Sequence, residues 1–233
     1  MATYVFRNGG GIPQFILTRG YQTFDGFAIP DVASLTTAEK RSYDIFEVVQ
    51  NKPTRVHQFQ EERFSHWDWD TSTMTATENF TLVDWDKPRA IQSAYREVAS
   101  EVAASMQDGV KWTGKVVDGG GNPVVFTEGC VLCRDQDKTD LLILKEQFAS
   151  GVIKQFLWRI GPNRYAPLKS AEDLQGLFNT GLMYIIELQE KQREFGNKME
   201  ILENDSTKTA AHVSTELDNC MAWYRTNPIR MNE

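Results

Sequence analysis

The sequence predicts an α+β fold, with a small antiparallel β region first, a connecting helix, and a helical domain built as helix, hairpin, helix, hairpin, long helix and final helix. Three observations carry this. The first third of the chain alternates apolar and polar residues with period two, as in SHWDWD at 65–70. Several later runs space their apolar residues by threes and fours. Clusters of Gly, Pro and Asn punctuate both halves where turns are needed. The boundaries read as a β-rich docking region over 1–86, a connecting helix over 87–108 and an α+β helical domain over 109–233.

In chain order, TYVF and QFILT are two short β runs separated by NGGGIP, a hairpin followed by an irregular arm, GYQTFDGFAIPDV. The triple glycine lacks the Gly-Lys-Ser/Thr ending of a phosphate loop and no helix pattern follows it, so it reads as a turn. Thr36 and Glu39 form a T-x-x-E capping box for a short helix, before the strand IFEVV at 45–49 and a break at Asn51, Lys52 and Pro53. From Val56 to Asp84 the pattern is a small antiparallel meander with a turn at Thr71 and Ser72. Its alternation sets Trp67 and Trp69 on one face and His66 and Asp68 on the other. The threonines at 71, 73, 75, 77 and 81 suit exposed or edge positions.

Pro88 fits a first helical position, where its missing N–H costs nothing. The helix it opens carries Ile91, Tyr95, Val98, Val102 and Met106 on one stripe. KWTGKVV, the turn DGGGNP and VVFT make a hairpin, Asp135 or Asp137 caps the next helix, and VIKQFLWRI, GPN and RYAPLK make a second hairpin. A last helix buries Val213, Leu217, Cys220 and Tyr224, stops before Pro228, and can fold back on the helix before it.

That preceding helix, from Ser170 to Leu202, is the longest segment with one apolar period. Ser170 and Asp173 supply its start signal, and at 1.5 Å per residue it spans about 45–50 Å. Leu174, Phe178, Gly181, Ile185, Leu188, Gln192, Phe195, Met199 and Leu202 form its seam. Its first half reads as docked on the domain, and its second half as projecting or covered by a partner helix. The expected interface between copies is therefore Ile91, Tyr95, Val98, Val102, Met106, Leu188, Phe195, Met199 and Leu202. On that reading Val98→Asp breaks the oligomer before it breaks the monomer.

Composition narrows the function. A net charge of −7 without a basic cluster argues against nucleic acid as the main partner. No apolar run reaches the roughly 20 residues needed to span a bilayer, and MATYVFRNGG has no apolar core after a basic start, so neither membrane insertion nor secretion is expected. Three cysteines, Cys130, Cys133 and Cys220, point to folding in a reducing compartment. Cys130 and Cys133 form a C-x-x-C that could be half a zinc site or a redox pair, but other ligands lack paired spacing, so they read as structural thiols with no cofactor. Asp68, Asp70 and Ser72 begin like a calcium loop, yet Thr73 and Asn79 stand where Gly and Glu are needed. Trp67 and Trp69 read as core before they read as a sugar platform. Glu62 and Asp70 can be nominated as a glycosidase pair, but nothing fixes their separation. No nucleophile elbow, zinc helix or P-loop occurs, and no enzymatic role is expected.

The runs AIQSAYREVASE, GVKWTGKVV, LLILKEQF and FLWRIGPNRYAPLKSAEDLQGL, in this order, resemble the C-terminal domain of unknown function found in many tailed-bacteriophage tail proteins. Upstream, SLTTAEKRSYDIFEVVQNKP and VDWDKPRAIQSA are similar to the N-terminal region of such proteins, so that the likeness covers roughly 34–203. GCVLC and the tail beyond Asn204 depart from the pattern. The resemblance implies a virion structural protein, made in the bacterial cytoplasm and carried in the tail as a fibre, tip or baseplate component. Such a protein forms homo-oligomers, trimers above all, and joins other tail proteins. It also leaves open a fibre-assembly chaperone, and a carbohydrate-binding tip protein for host attachment, using Trp67 and Trp69, stands beside these as an alternative of a different class. It transfers no catalytic residue.

Overall fold

The computed structural model describes residues 3–7, 13–16, 22–24, 27–29, 31–125, 130–131 and 133–226. The fold is α+β, and the chain divides into two compact units, Met1–Trp85 and Asp86–Glu233.

In the first unit β1 (Thr3–Phe6) and β2 (Gln14–Ile16) form the expected hairpin. The arm read as irregular contains a second small antiparallel pair, β3 (Gln22–Phe24) and β4 (Phe27–Ile29). Three-residue strands are too short for an alternation to show. A 3₁₀ turn at Val32–Ser34 leads to α1 (Thr37–Ser42), whose capping box is reciprocal: the Glu39 N–H donates to Thr36 Oγ1 at 3.3 Å, and the Thr36 N–H to Glu39 Oε2 at 2.7 Å. Hydrogen bonds from Thr36 hold the Glu39 carboxyl below its ordinary pKa.

β5 (Ile45–Asn51), β6 (Gln60–Asp70) and β7 (Thr75–Asp84) complete a sheet of order β2-β1-β5-β7-β6. Over 56–84 the expected antiparallel pairing holds, β6 against β7 with Trp69 opposite Ala76, while β5 joins β7 in parallel, Val48 opposite Ala76, so the whole sheet is mixed. β7 lies between its neighbours and β6 takes the edge, where its Glu61, Glu62 and Arg63 are better tolerated. Thr75 and Thr77, expected at exposed or edge positions, are therefore half-buried in an inner strand. Adjacent residues Tyr4 and Val5 are both buried, as are Ile45 and Phe46, since successive strand side chains point to opposite faces and each face carries an apolar cluster. Tyr4, Ile16, Val32, Leu35 and Ile45 make one; Val5, Phe46, Met74 and Ala76, with Trp67 and Trp69 against them, make the other.

In the second unit α2 (Lys87–Asp108) starts at Asp86, whose carboxylate accepts from the Arg89 N–H at 2.8 Å, with Pro88 in the first turn. It ends at Gly109, where φ is 79°. β8 (Val110–Lys111) pairs with β9 (Cys130–Val131). The Asp118 carboxylate organises the glycine turn by accepting from the N–H groups of Gly120 and Asn122, both at 2.9 Å. α3 (Asp135–Ala149) begins at Arg134, one residue before the expected cap. Asp137 acts from the third position, accepting from the Arg134 N–H at 3.1 Å and gripping its guanidinium at 2.8 and 3.0 Å.

β10 (Phe156–Gly161) and β11 (Arg164–Leu168) form the second hairpin, turning through Asn163 at φ 51°. α4 (Ala171–Asn204) is capped by Ser170 as expected, and α5 (Ala210–Thr226) follows. Leu174 and Leu177 of α4 join Val131, Leu141, Leu144, Trp158, Ile160 and Leu168 in one core, so the first half of the long helix is docked on its own domain.

Candidate functional site

The residues expected to bind a second copy are covered within the chain instead. Ile91, Val98, Val102, Leu188, Phe195, Met199 and Leu202 are all buried, with Val98 only 1% exposed, and Met106 is half-buried. Of the nine, Tyr95 alone keeps much surface, at 42%. The second half of α4 does not project. Its ties to α2 run in reverse order: Tyr184 Oη donates to the Ser105 carbonyl at 3.3 Å, Tyr95 Oη to the Gly196 carbonyl at 3.3 Å, and Lys87 Nζ to the Leu202 carbonyl at 2.8 Å. α5 returns along α4 in the same antiparallel sense, with Tyr224 Oη donating to the Leu188 carbonyl at 3.2 Å and Lys198 Nζ 2.6 Å from Glu216 Oε2. α2, α4 and α5 thus form a three-helix bundle whose stripes share one axis.

A stripe of threes and fours says that a face must be buried, not whose side chains bury it. The chain itself offers three such stripes. The short polar link before α5 was the available sign that they could meet at home.

The bundle interior shapes its ionisable groups. Burial pushes the Tyr224 phenol far above its ordinary pKa. The Tyr95 phenol is raised by burial first and then by Glu203 and Glu200. Burial also raises the Cys220 thiol, which keeps it protonated and unreactive at neutral pH. Tyr95 packs edge-on against Phe195, centroids 5.9 Å apart at 85°, an arrangement that aligns ring edge with ring face.

Cys133 is buried, its Sγ 3.7 Å from the Gly181 carbonyl, so the glycine in the α4 seam sits against this thiol. The Cys130 side chain lies outside the described residues. Among the described residues no three His, Cys, Asp or Glu side chains converge as metal ligands. Asp70 is occupied by its own turn, accepting from the Ser72 N–H at 2.8 Å, Ser72 Oγ at 2.5 Å and the Thr73 N–H at 3.3 Å. Glu62 bridges to Lys52 at 3.0 Å and to Arg55 at 3.7 Å. Asp70 lies eight steps along β6 from Glu62, about 26 Å at 3.3 Å per residue, far beyond the ~10 Å limit for a glycosidase pair. Trp67 and Trp69 stack on each other with centroids 5.7 Å apart and lie against the sheet core.

A cleft of about 870 Å³ opens between α3 and β10. Arg134, Asp137, Asp140 and Ile143 face it from α3, and Phe156 and Arg159 from β10. Ile143 and Phe156 are 48% and 37% exposed there. The sequence pattern did not mark this cleft, because its β10 wall is defined by backbone direction and not by residue type.

Compared with protein-family models, with curated proteins and with solved structures, the chain matches none. Among the described residues no helix is long and apolar enough to cross a membrane.

Proposed function

We propose that this chain is a structural component of a bacteriophage tail, in a fibre, tip or baseplate, and that it works by holding other chains. The likeness over roughly 34–203 supports this reading, and one structural observation carries it. Leu182, Met183 and Ile186 stay exposed in a contiguous stretch of α4, beside the seam that α2 and α5 cover. Leu142 and Ile143 on α3 are exposed as well. Apolar side chains gathered this way suit a surface that a neighbour covers.

The proposed role is mechanical, with no reaction assigned, and the assembly is a homo-oligomer, a trimer above all, seated among other tail proteins of the virion. The bundle seam is used up within the chain, so the contact between copies falls to the outer face of α4. Two measurements test the reading. Light scattering of the purified chain should give a mass that is a multiple of 26.6 kDa, reduced by Met183→Glu. Mass spectrometry of purified virions should find peptides of the chain; their absence, with binding to fibre chains retained, makes it an assembly chaperone instead.

A further inference from the structure

The β10–β11 hairpin pairs along its β11 edge, and among the described residues its β10 edge is paired with no further strand, although β9 packs near it. On β11, the Tyr165 N–H donates to the Val117 carbonyl at 3.0 Å, and the Tyr165 carbonyl accepts from the Val117 N–H at 2.9 Å. In an antiparallel ladder a residue turns both backbone groups to the same side. Tyr165 therefore points away from β10, and Arg159 directly opposite it turns its own N–H and C=O away from β11. Two residues earlier the alternation repeats with Leu157 opposite Pro167, and a proline suits that position because it has no N–H to give the ladder. Among the described residues no strand other than β11 pairs with β10. Leu157 and Arg159 thus aim two donors and two acceptors outward.

The cleft described above runs along this strand. All six residues of β10 line it, about 20 Å of strand at 3.3 Å per residue. The opposite wall is one face of α3, on which Asp137, Asp140 and Leu144 recur by threes and fours. Its charges are largely satisfied: Arg134 is held by Asp137, and Asp140 accepts from Gln136 Nε2 at 2.6 Å. A small ionic ligand would find little there to bind. A polypeptide strand would find a row of backbone groups with the right alternation and, beside it, exposed Ile143, Phe156 and Leu157.

We propose that the cleft binds an extended segment of another protein, added as a further strand on β10, with apolar side chains at alternate positions facing Ile143 and Phe156. Backbone pairing supplies the affinity, and the pockets between strand and helix read every second side chain. A second copy of this chain fits less well. Its β10 carries α3 along the same edge, and pairing two such edges brings two α3 helices together, whereas a free segment has no helix beside it. The inference does not rest on the tail assignment: a chain absent from virions that still binds the segment keeps the groove and loses only the assignment.

The experiment selects binders to the full chain from a library of random linear peptides, then resynthesises one with N-methyl groups on alternate residues in each of two phases. One phase should weaken binding about tenfold or more and the other should not, since only one edge of an added strand faces β10. Amide signals of Leu157 and Arg159 should shift and become protected from exchange. Arg159→Pro removes an outward N–H while leaving the β11 ladder intact, and should weaken binding similarly; Arg159→Ala should stay within about threefold. If Arg159→Pro unfolds the unit by circular dichroism, the methylated peptides decide alone. A library without a saturable binder, equal tolerance of both methylation phases, or shifts mapping elsewhere overturns the proposal. So does a dimer of the free chain that Arg159→Pro dissolves, which would give the edge to a second copy.

Discussion

The Lys87 ammonium, in the first turn of α2, lies 2.8 Å from the backbone carbonyl of Leu202 near the end of α4. It also donates to the carbonyls of Glu203 and Asp205, at 2.9 and 2.8 Å. The last carbonyls of a helix lack partners within it, and a cation there also opposes the negative end of the helix dipole. One side chain thus closes the far end of the bundle. An ammonium has three diverging donors and meets three carbonyls; a planar guanidinium does not match that arrangement.

Lys87→Met should therefore lower stability by about 1.5–3 kcal/mol, the range for hydrogen bonds made by a charged group. Lys87→Arg should recover only part of it. Urea unfolding followed by helical circular dichroism measures both; a midpoint unchanged in Lys87→Met would show the three bonds to be idle.

Val98 decides between a bundle closed within one chain and a stalk closed between chains. At 1% exposure it is buried on the apolar face of α2. Val98→Asp puts an unpaired charge there, and should cost on the order of 4 kcal/mol or more. That is a large part of the roughly 5–15 kcal/mol by which a domain is stable. The variant should lose helical signal at ambient temperature. A folded variant that merely dropped from oligomer to monomer in light scattering would restore the stalk.

Asp70 makes a prediction about acid. Hydrogen bonds from Ser72 and Thr73 lower its pKa from 3.8 to about 2. A carboxyl depressed in the folded state favours folding fully above its unfolded pKa, and that contribution disappears as pH falls through the folded value. The β6–β7 turn should thus be unchanged down to about pH 4 and loosen between there and pH 2. The Asp70 carboxyl carbon, followed by NMR, should titrate near the lower end, and Asp70→Asn should remove this part of the pH dependence. A midpoint close to 3.8 would mean that the turn does not hold the carboxylate.

Much of the fold was legible because its signals are local. The Thr36–Glu39 box, the Ser170 cap, the β10–β11 hairpin and the three helix stripes all depend on residues within a few positions of one another. The parallel joint between β5 and β7 depends on residues 28 apart, Val48 and Ala76 for example, and nothing in either strand states which neighbour it takes. The seam failed for the same reason: Val98 and Phe195 each announce a buried face, and their partners are named only by the tertiary fold. The α3–β10 cleft was further out of reach. The side chains of Leu157 and Arg159 say nothing about where their amides point, which follows from Tyr165 bonding to Val117 on the next strand.

Met74 sets two backbone and packing effects against each other. It adopts φ 56°, a left-handed conformation that glycine accepts freely, yet its side chain is 2% exposed among Val5, Phe46 and Ala76. Met74→Gly relieves about 1–2 kcal/mol of backbone strain. It also empties a core position whose truncation to alanine typically costs about 2–5 kcal/mol. The core should win, giving a net loss of up to about 4 kcal/mol in the first unit, the difference between those two ranges. Met74→Ala keeps the strain and loses the packing, so it should be less stable than Met74→Gly. Thermal unfolding followed by tryptophan fluorescence, which reports on Trp67 and Trp69 against the same cluster, measures the order. If alanine proved the more stable of the two, the left-handed backbone would not be costing what its φ implies.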